Sequence, residues 1–198
     1  MEQIALYGGA FNPPHILHEE VIKTILSKTI ITKIIIVPSG LRSDKTYNIS
    51  KEYRNNLINL FIKNLSGLNI ELNKDFFLDK IPSTTMVGMD EYFKKKLGYS
   101  PYQIFGSDVI KDLDKWYEPL KVKKYIPKIF VSREGFDLDN SGLENYLYVK
   151  ISFDNQKLIK LKHLSSTIIK ENIKKGIYTG LNLEIAEYIK EKGLYLEN

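Results

Sequence analysis

The stretch Ile4-Ala5-Leu6-Tyr7-Gly8-Gly9-Ala10-Phe11-Asn12-Pro13-Pro14-His15-Ile16-Leu17-His18 decides how the rest of the chain is read. Its short apolar opening predicts a strand over Ile4–Tyr7, broken at Gly8-Gly9 into a turn. Downstream, Leu17, Val21, Ile22, Ile25 and Leu26 have helical spacing, which predicts a helix over Ile16–Ser27. A glycine pair at the carboxyl end of a strand lets backbone approach a ligand closely and turns amide N–H groups toward an anion. His15 and His18, three apart at the helix start, share one face of its first turn. The helix dipole favours negative charge there, and imidazole N–H groups do too. Asn12 and the two prolines fix the chain between turn and helix. These features converge on a phosphate site built from neutral donors. Zinc is the weaker reading, because two histidines lack a third His, Cys or nearby Asp, and only Glu19 and Glu20 are close in sequence.

Outward from this segment, strands and helices alternate. Lys33–Pro38 predicts a strand, Ser39–Ile49 a loop and Ser50–Leu65 a helix with Tyr53, Leu57, Leu60, Phe61 and Leu65 on one face. Leu68–Leu72 with Phe76–Phe77 reads as one strand or a broken one, and Thr85–Leu97 as a helix stopped by Gly98. Tyr102–Phe105 is a strand ending at Gly106, after which Ser107-Asp108 opens a helix and Trp116–Tyr125 forms a second short helical piece. Lys128–Ser132 is a strand, Arg133–Leu143 a loop, and Tyr146–Ile151 and Lys157–Leu161 are candidate strands. Ser165–Lys175 and Asn182–Lys192 are helices, the last stopped by Gly193. The alternation predicts βαβ units: a Rossmann-like α/β fold, its mostly parallel sheet covered by helices on both faces, with ligands at the carboxyl ends of the strands. No linker or repeat interrupts it, so residues 1–198 read as a single domain with 165–198 as a C-terminal helical part.

Composition narrows the chemistry. The 198 residues carry 29 Lys+Arg against 24 Asp+Glu, a net charge of +5, and no Cys. A disulfide scaffold, a thiolate metal site and a Cys nucleophile are excluded. A hydrophobic content of 43% excludes wholesale disorder. No apolar run approaches the roughly 18 residues that span a bilayer, and no signal peptide follows Met1-Glu2-Gln3, so the expected location is the cytoplasm. The positive charge favours an anionic partner, but without a dense basic stripe that partner is not a nucleic acid.

Further candidates lie along the chain. Ser165-Ser166-Thr167 precede a helix with Lys170 in its first turn. Lys opposes the dipole there, which a bound anion relieves; a capped, solvated basic helix is an equal reading of the spacing. Asp108, just past Gly106, is placed either to bond ribose hydroxyls or to cap a helix. Trp116, the lone Trp, reads by itself as a core residue. Arg133 ends a strand, a phosphate-competent place, and Pro82-Ser83-Thr84-Thr85 forms another hydroxyl-rich helix start.

In order along the chain, Gly8-Gly9-x-Phe11-Asn12-Pro13-x-His15-x-x-His18 and Ser165-Ser166-Thr167-x-Ile169 resemble the H-x-G-H and I-S-S-T-x-I-R boxes of the nucleotidyltransferase superfamily. The best match within it is the bacterial nicotinate-nucleotide adenylyltransferase family. Gly106-Ser107-Asp108, Trp116-Tyr117-Glu118, Arg133-Glu134-Gly135 and the closing Gly193-Leu194-Tyr195 are similar to that family's remaining motifs. The resemblance implies transfer of AMP from ATP to nicotinate mononucleotide in NAD synthesis. It implies His15, His18 and Lys170 as catalytic groups, and Gly8, Gly9, Phe11, Gly106, Asp108, Ser165, Ser166 and Thr167 as ATP-binding groups. It implies Thr85, Trp116, Arg133 and Lys45 on the acceptor side, with Mg²⁺ bridging ATP phosphates and no dedicated protein ligands for it.

The departures from the pattern carry expectations of their own. Leu17 stands where the box has a Gly that leaves room for adenosine, so it is expected to crowd the base or shift the helix. Lys170 replaces an Arg with a point charge that cannot bind bidentately. Thr84 replaces an aromatic, and Gly40-Leu41-Arg42-Ser43-Asp44-Lys45 replaces the family's Pro-Pro-His-Lys loop. These changes keep two alternatives open: another phosphorylated acceptor, or a degenerate nucleotide-binding protein.

Overall fold

In a computed structural model, which describes residues 2–39, 49–75, 85–132, 142–153 and 161–196, the apolar runs form six strands. They are β1 (Ile4–Gly9), β2 (Lys33–Pro38), β3 (Ile70–Leu72), β4 (Tyr102–Gly106), β5 (Lys128–Ser132) and β6 (Tyr146–Lys150). The helices are α1 (Ile16–Lys28), α2 (Lys51–Lys63), α3 (Met86–Leu97), α4 (Pro119–Lys124), α5 (Ser166–Lys174) and α6 (Leu183–Glu191). All five strand pairings are parallel, in the order β3-β2-β1-β4-β5-β6. This is the doubly wound Rossmann order, whose winding reverses between β1 and β4 and opens a ligand crevice beyond their carboxyl ends.

Two expectations need correction. Gly8 and Gly9 do not follow β1; they are its last two residues, paired with Val37 and Pro38. Ladder bonds to a fixed neighbour carry the strand through residues whose own propensity is low. A helix does open at Ser107-Asp108, as a 3₁₀ helix over Ser107–Lys115, but Trp116 is its extended C-terminal cap and not the start of a helical piece. The next helix begins only at Pro119, whose fixed φ and missing N–H suit a first helical position. The candidate strand at Lys157–Leu161 and the Phe76–Phe77 extension of β3 fall outside the described residues, apart from Leu161, which lies in a turn.

The described residues divide into two compact units. One draws on Met1–Gly9, Lys23–Gly40 and Asn69–Ser152; the other on Ala10–Ile22, Leu41–Leu68 and Phe153–Asn198. The C-terminal helices thus share their unit with two earlier segments. The first unit holds the whole sheet. Alternate residues of β1 and β2 put Ile4, Leu6, Ile35 and Val37 on one face, where they pack with Met89 and Phe93 of α3. Ile34 and Ile36, on the other face of β2, are also buried, as expected of a parallel sheet covered on both sides. A second cluster joins Met86 and Val87 to Leu113, Val122, Ile126 and Phe130. In the second unit, α2 and α6 are tied by Asn56 Nδ2 donating to Tyr188 Oη at 2.8 Å and by a Lys63–Glu184 ion pair at 3.2 Å.

Lys128, the first residue of β5, is fully buried. Its ammonium donates to Lys123 O at 3.0 Å and Glu144 O at 2.6 Å, and burial lowers its pKa from 10.5 to about 8, partly opposed by Glu144. A lysine whose folded pKa lies below its unfolded value binds fewer protons when folded, so stability rises with pH between about 8 and 10.5. The contribution is of order 3 kcal/mol across that window. Urea unfolding of the protein and of Lys128→Met at pH 7 and pH 10 tests this. The variant is expected to lose most of that rise, and equal rises would show that Lys128 is not its source.

Candidate active site

The second unit holds the histidine segment. Phe11 is in the left-handed region (φ 46°), a conformation that costs a non-glycine residue on the order of 1–2 kcal/mol. Burial and ring packing hold it: Phe11 is 1% exposed, 4.9 Å from the His18 ring and 6.3 Å from Phe61. The sequence placed Phe61 only on the apolar face of α2. The structure makes it part of the wall behind His18, its ring centroid 6.4 Å away.

His15 and His18 are stacked, with ring centroids 3.7 Å apart and planes at 38°. His15 is buried and His18 half-buried. The His15 backbone N–H donates to His18 Nδ1 at 3.1 Å. A nitrogen that accepts carries no proton, so in the neutral ring the N–H sits on Nε2. The first turn of α1 thus turns His18 into a donor of fixed tautomer.

The N-terminus of α5 lies in the same unit. Ser165 caps it, accepting from the Ile168 N–H at 3.2 Å, so for this residue the capping reading holds. The Ser166 hydroxyl donates to Pro13 O at 3.0 Å and so ties α5 to the histidine segment. Thr167 is exposed and Lys170 half-buried. The structure therefore brings Phe11, His15, His18, Ser165 and Ser166 together. Leu17, 1% exposed, belongs to the packed interior.

In the first unit, β1 ending in Gly8-Gly9 pairs with β4 ending in Gly106, so both flank the winding reversal. Gly106 is the N-cap of the 3₁₀ helix and makes no side-chain cap bond; Asp108, the helix's second residue, does not hold the cap position and is exposed. Its carboxylate folds back over Gly106, where an added Cβ would overlap Asp108 Oδ1. Gly106→Ala is therefore expected to displace the carboxylate, not the fold. On the expectation that Asp108 bonds ribose hydroxyls, KM for ATP should rise about tenfold, the loss of one charged hydrogen bond, with little change in thermal midpoint. An unchanged KM would overturn that expectation.

Trp116 is half-buried, its ring 5.3 Å from Phe105 at 66°, edge to face. Thr85 caps α3 by accepting from the Gly88 N–H at 3.1 Å. Arg133 and Lys45 lie outside the described residues, as do Gly40-Leu41-Arg42-Ser43-Asp44 and Pro82-Ser83-Thr84. Among the described residues, no three or more His, Asp or Glu gather as a metal site, and no helix is long and apolar enough to cross a membrane. The donors present are N–H, O–H and ammonium groups, which suit phosphate oxygens.

A doubly wound parallel sheet with glycine-ended strands at its winding reversal, joined to a paired-histidine helix start, defines a nucleotide-handling α/β class. The chain belongs to the cytidylyltransferase-like family, whose model matches residues 6–172. It is 30% identical to a protein of Acholeplasma laidlawii named probable nicotinate-nucleotide adenylyltransferase, over 98% of each chain. It is 28% identical to one of the same name from Aliarcobacter butzleri, over 92% of this chain and 97% of that one. Its fold matches Plasmodium falciparum nicotinic acid mononucleotide adenylyltransferase complexed with NaAD, at a TM-score of 0.82 and 24% identity, over 100% of this chain and 99% of that one.

Proposed function

We propose that this nucleotidyltransferase moves AMP from ATP to nicotinate mononucleotide, in the cytoplasm, giving nicotinate adenine dinucleotide and pyrophosphate for NAD synthesis. The observation that carries the reading is the fixed Nε2–H tautomer of His18, made by the His15 N–H. An oxygen of the acceptor's own phosphate forms a bond to the α-phosphorus of ATP, and the bond from that phosphorus to the α–β bridging oxygen breaks. The electron pair leaves with pyrophosphate. Negative charge grows on the α-phosphoryl and bridging oxygens, so a preset N–H donor is worth most in the transition state.

His18 supplies that donor, and His15 sets its orientation and stacks against it. Gly8, Gly9 and the backbone at Phe11 let the triphosphate approach. The exposed Thr167 hydroxyl donates to the departing pyrophosphate and Lys170 neutralises its charge at the N-terminus of α5, while Ser166, its one hydroxyl proton given to Pro13 O, acts there through its backbone. Ser165 acts through its cap. Asp108 accepts from ribose hydroxyls beside Gly106. Trp116 and Thr85 face the pyridine, with Arg133 and Lys45 on the acceptor's charge. Mg²⁺ bound to ATP would supply charge neutralisation on its phosphates and would take no dedicated ligand from the chain.

The test is pyrophosphate release from ATP and Mg²⁺ with a panel of acceptors. Release with nicotinate mononucleotide, and much less with nicotinamide mononucleotide or phosphopantetheine, is expected. Preference for either of the others would reassign the acceptor. ATP binding without release on any acceptor would sink the transferase reading.

A further inference from the structure

Between Gly9 and Ile16 the histidine segment has no helix or strand of its own, so its shape comes from what holds it. The holds come from the C-terminal part of the same unit, residue by residue. Ser166 Oγ donates to Pro13 O at 3.0 Å, the Ile16 N–H to Gly180 O at 3.0 Å, and Asn182 Nδ2 to Glu19 Oε2 at 3.3 Å. The innermost hold is made by Tyr195, whose hydroxyl donates to Asn12 Oδ1 at 2.6 Å, both residues 5% exposed or less.

The chain ends in a way that serves this bond. At the end of α6 the Gly193 N–H donates to Lys190 O and the Leu194 N–H to Ile189 O, a Schellman turn with Gly193 left-handed (φ 59°). The turn sends the chain inward, and Tyr195 then takes a left-handed backbone itself (φ 68°). A tyrosine held in that region carries strain that a filler residue does not need. Phe11, next to Asn12, is the other non-glycine residue in the same region among the described residues of this unit. Burial pushes the Tyr195 phenol above its ordinary pKa, against the pull of the buried Arg54 guanidinium, so it remains a donor.

We propose that Tyr195 is a positioning residue for nucleotidyl transfer: its phenol fixes Asn12, and through it the Phe11–His15 backbone whose N–H sets the tautomer of His18. The chemical role assigned to His18 rests on the transferase reading above; the geometric role of Tyr195 does not. Loss of the bond lets the segment relax, and small displacements of a reacting group cost rate steeply.

The experiment compares the full-length protein with Tyr195→Phe by steady-state kinetics and by ¹⁵N NMR of the imidazoles. The chain has three histidines, so His18 is assigned with one His18→Gln sample. In the protein, the His18 nitrogens are expected to read as bare Nδ1 and protonated Nε2. In Tyr195→Phe the two tautomers should mix, with kcat down about tenfold and KM for ATP changed less than threefold. Unaltered His18 shifts and kcat would overturn the proposal, as would a lowered thermal midpoint with both unmoved. Asn12→Ala with Tyr195→Phe removes both ends of the bond, and its kcat and His18 shifts decide the proposal on the same terms if the single variant does not fold. It should lose no more than the larger single loss, because one bond is lost once; additive losses would also overturn the proposal. If no acceptor supports turnover, the transferase reading fails, and the NMR comparison still decides the role of Tyr195.

Discussion

His18→Ala is expected to lower turnover by at least about 10²-fold, the typical cost of removing one transition-state donor. The loss should fall on kcat, with KM for ATP changed much less, because the bond strengthens as charge develops on the α-phosphoryl oxygens. The geometry supplies the reason. An imidazole free to choose its tautomer spends part of its time presenting a lone pair to an anion. The His15 N–H, 3.1 Å from Nδ1, removes that choice. His18→Gln still carries N–H donors on a flexible amide, so it should fall between alanine and the parent. Steady-state kinetics checks this, with circular dichroism to confirm that each variant folds. Unchanged turnover in His18→Ala would refute the role.

What the sequence shows of this arrangement depends on how local each part is. The β-branched run of β2 and the stops at Pro38, Gly98 and Gly193 are local signals, and those elements form where the pattern puts them. Gly8-Gly9 misleads as a stop, because pairing with Val37 and Pro38 outweighs glycine's own preference. Trp116 misleads too: Pro119, two residues on from Tyr117, is the true helix start, and Trp116 packs its edge against Phe105 before the helix begins. At the site, the two histidines are legible as a pair, and their spacing places them on one turn. The bond that fixes their chemistry is not legible, since it needs the backbone angles of Phe11 through His15. Ser166 meets Pro13 across 153 residues, and Tyr195 meets Asn12 across 183. No local pattern encodes such partners. The hydroxyl run at 165–167 therefore reads as one feature, while the structure divides its work: Ser165 caps the helix and Ser166 holds the loop.

Leu17→Gly separates a local reading from a structural one more sharply. The pattern of the motif has glycine at this position, which suggests that restoring it should open room for the base and tighten ATP binding. The structure puts Leu17 at 1% exposed, in the second position of α1, among the largest fully buried side chains of the protein. Removing a buried leucine side chain forfeits its transfer free energy and leaves a cavity, and glycine adds backbone freedom to the unfolded chain. Together these cost roughly 3–5 kcal/mol. For a chain of this length each kcal/mol lowers the thermal midpoint by about 2–4 °C, so a fall on the order of 10 °C is expected. ATP affinity should fall or stay level, because Leu17 lies between His15 and His18 and the turn that pairs them loses a packed anchor. Calorimetry with and without ATP measures both quantities. A variant as stable as the parent that binds ATP more tightly would show that Leu17 stands in the nucleotide's way. The expected loss of stability would instead show that this chain fills with a core leucine the place where the motif it resembles has a glycine.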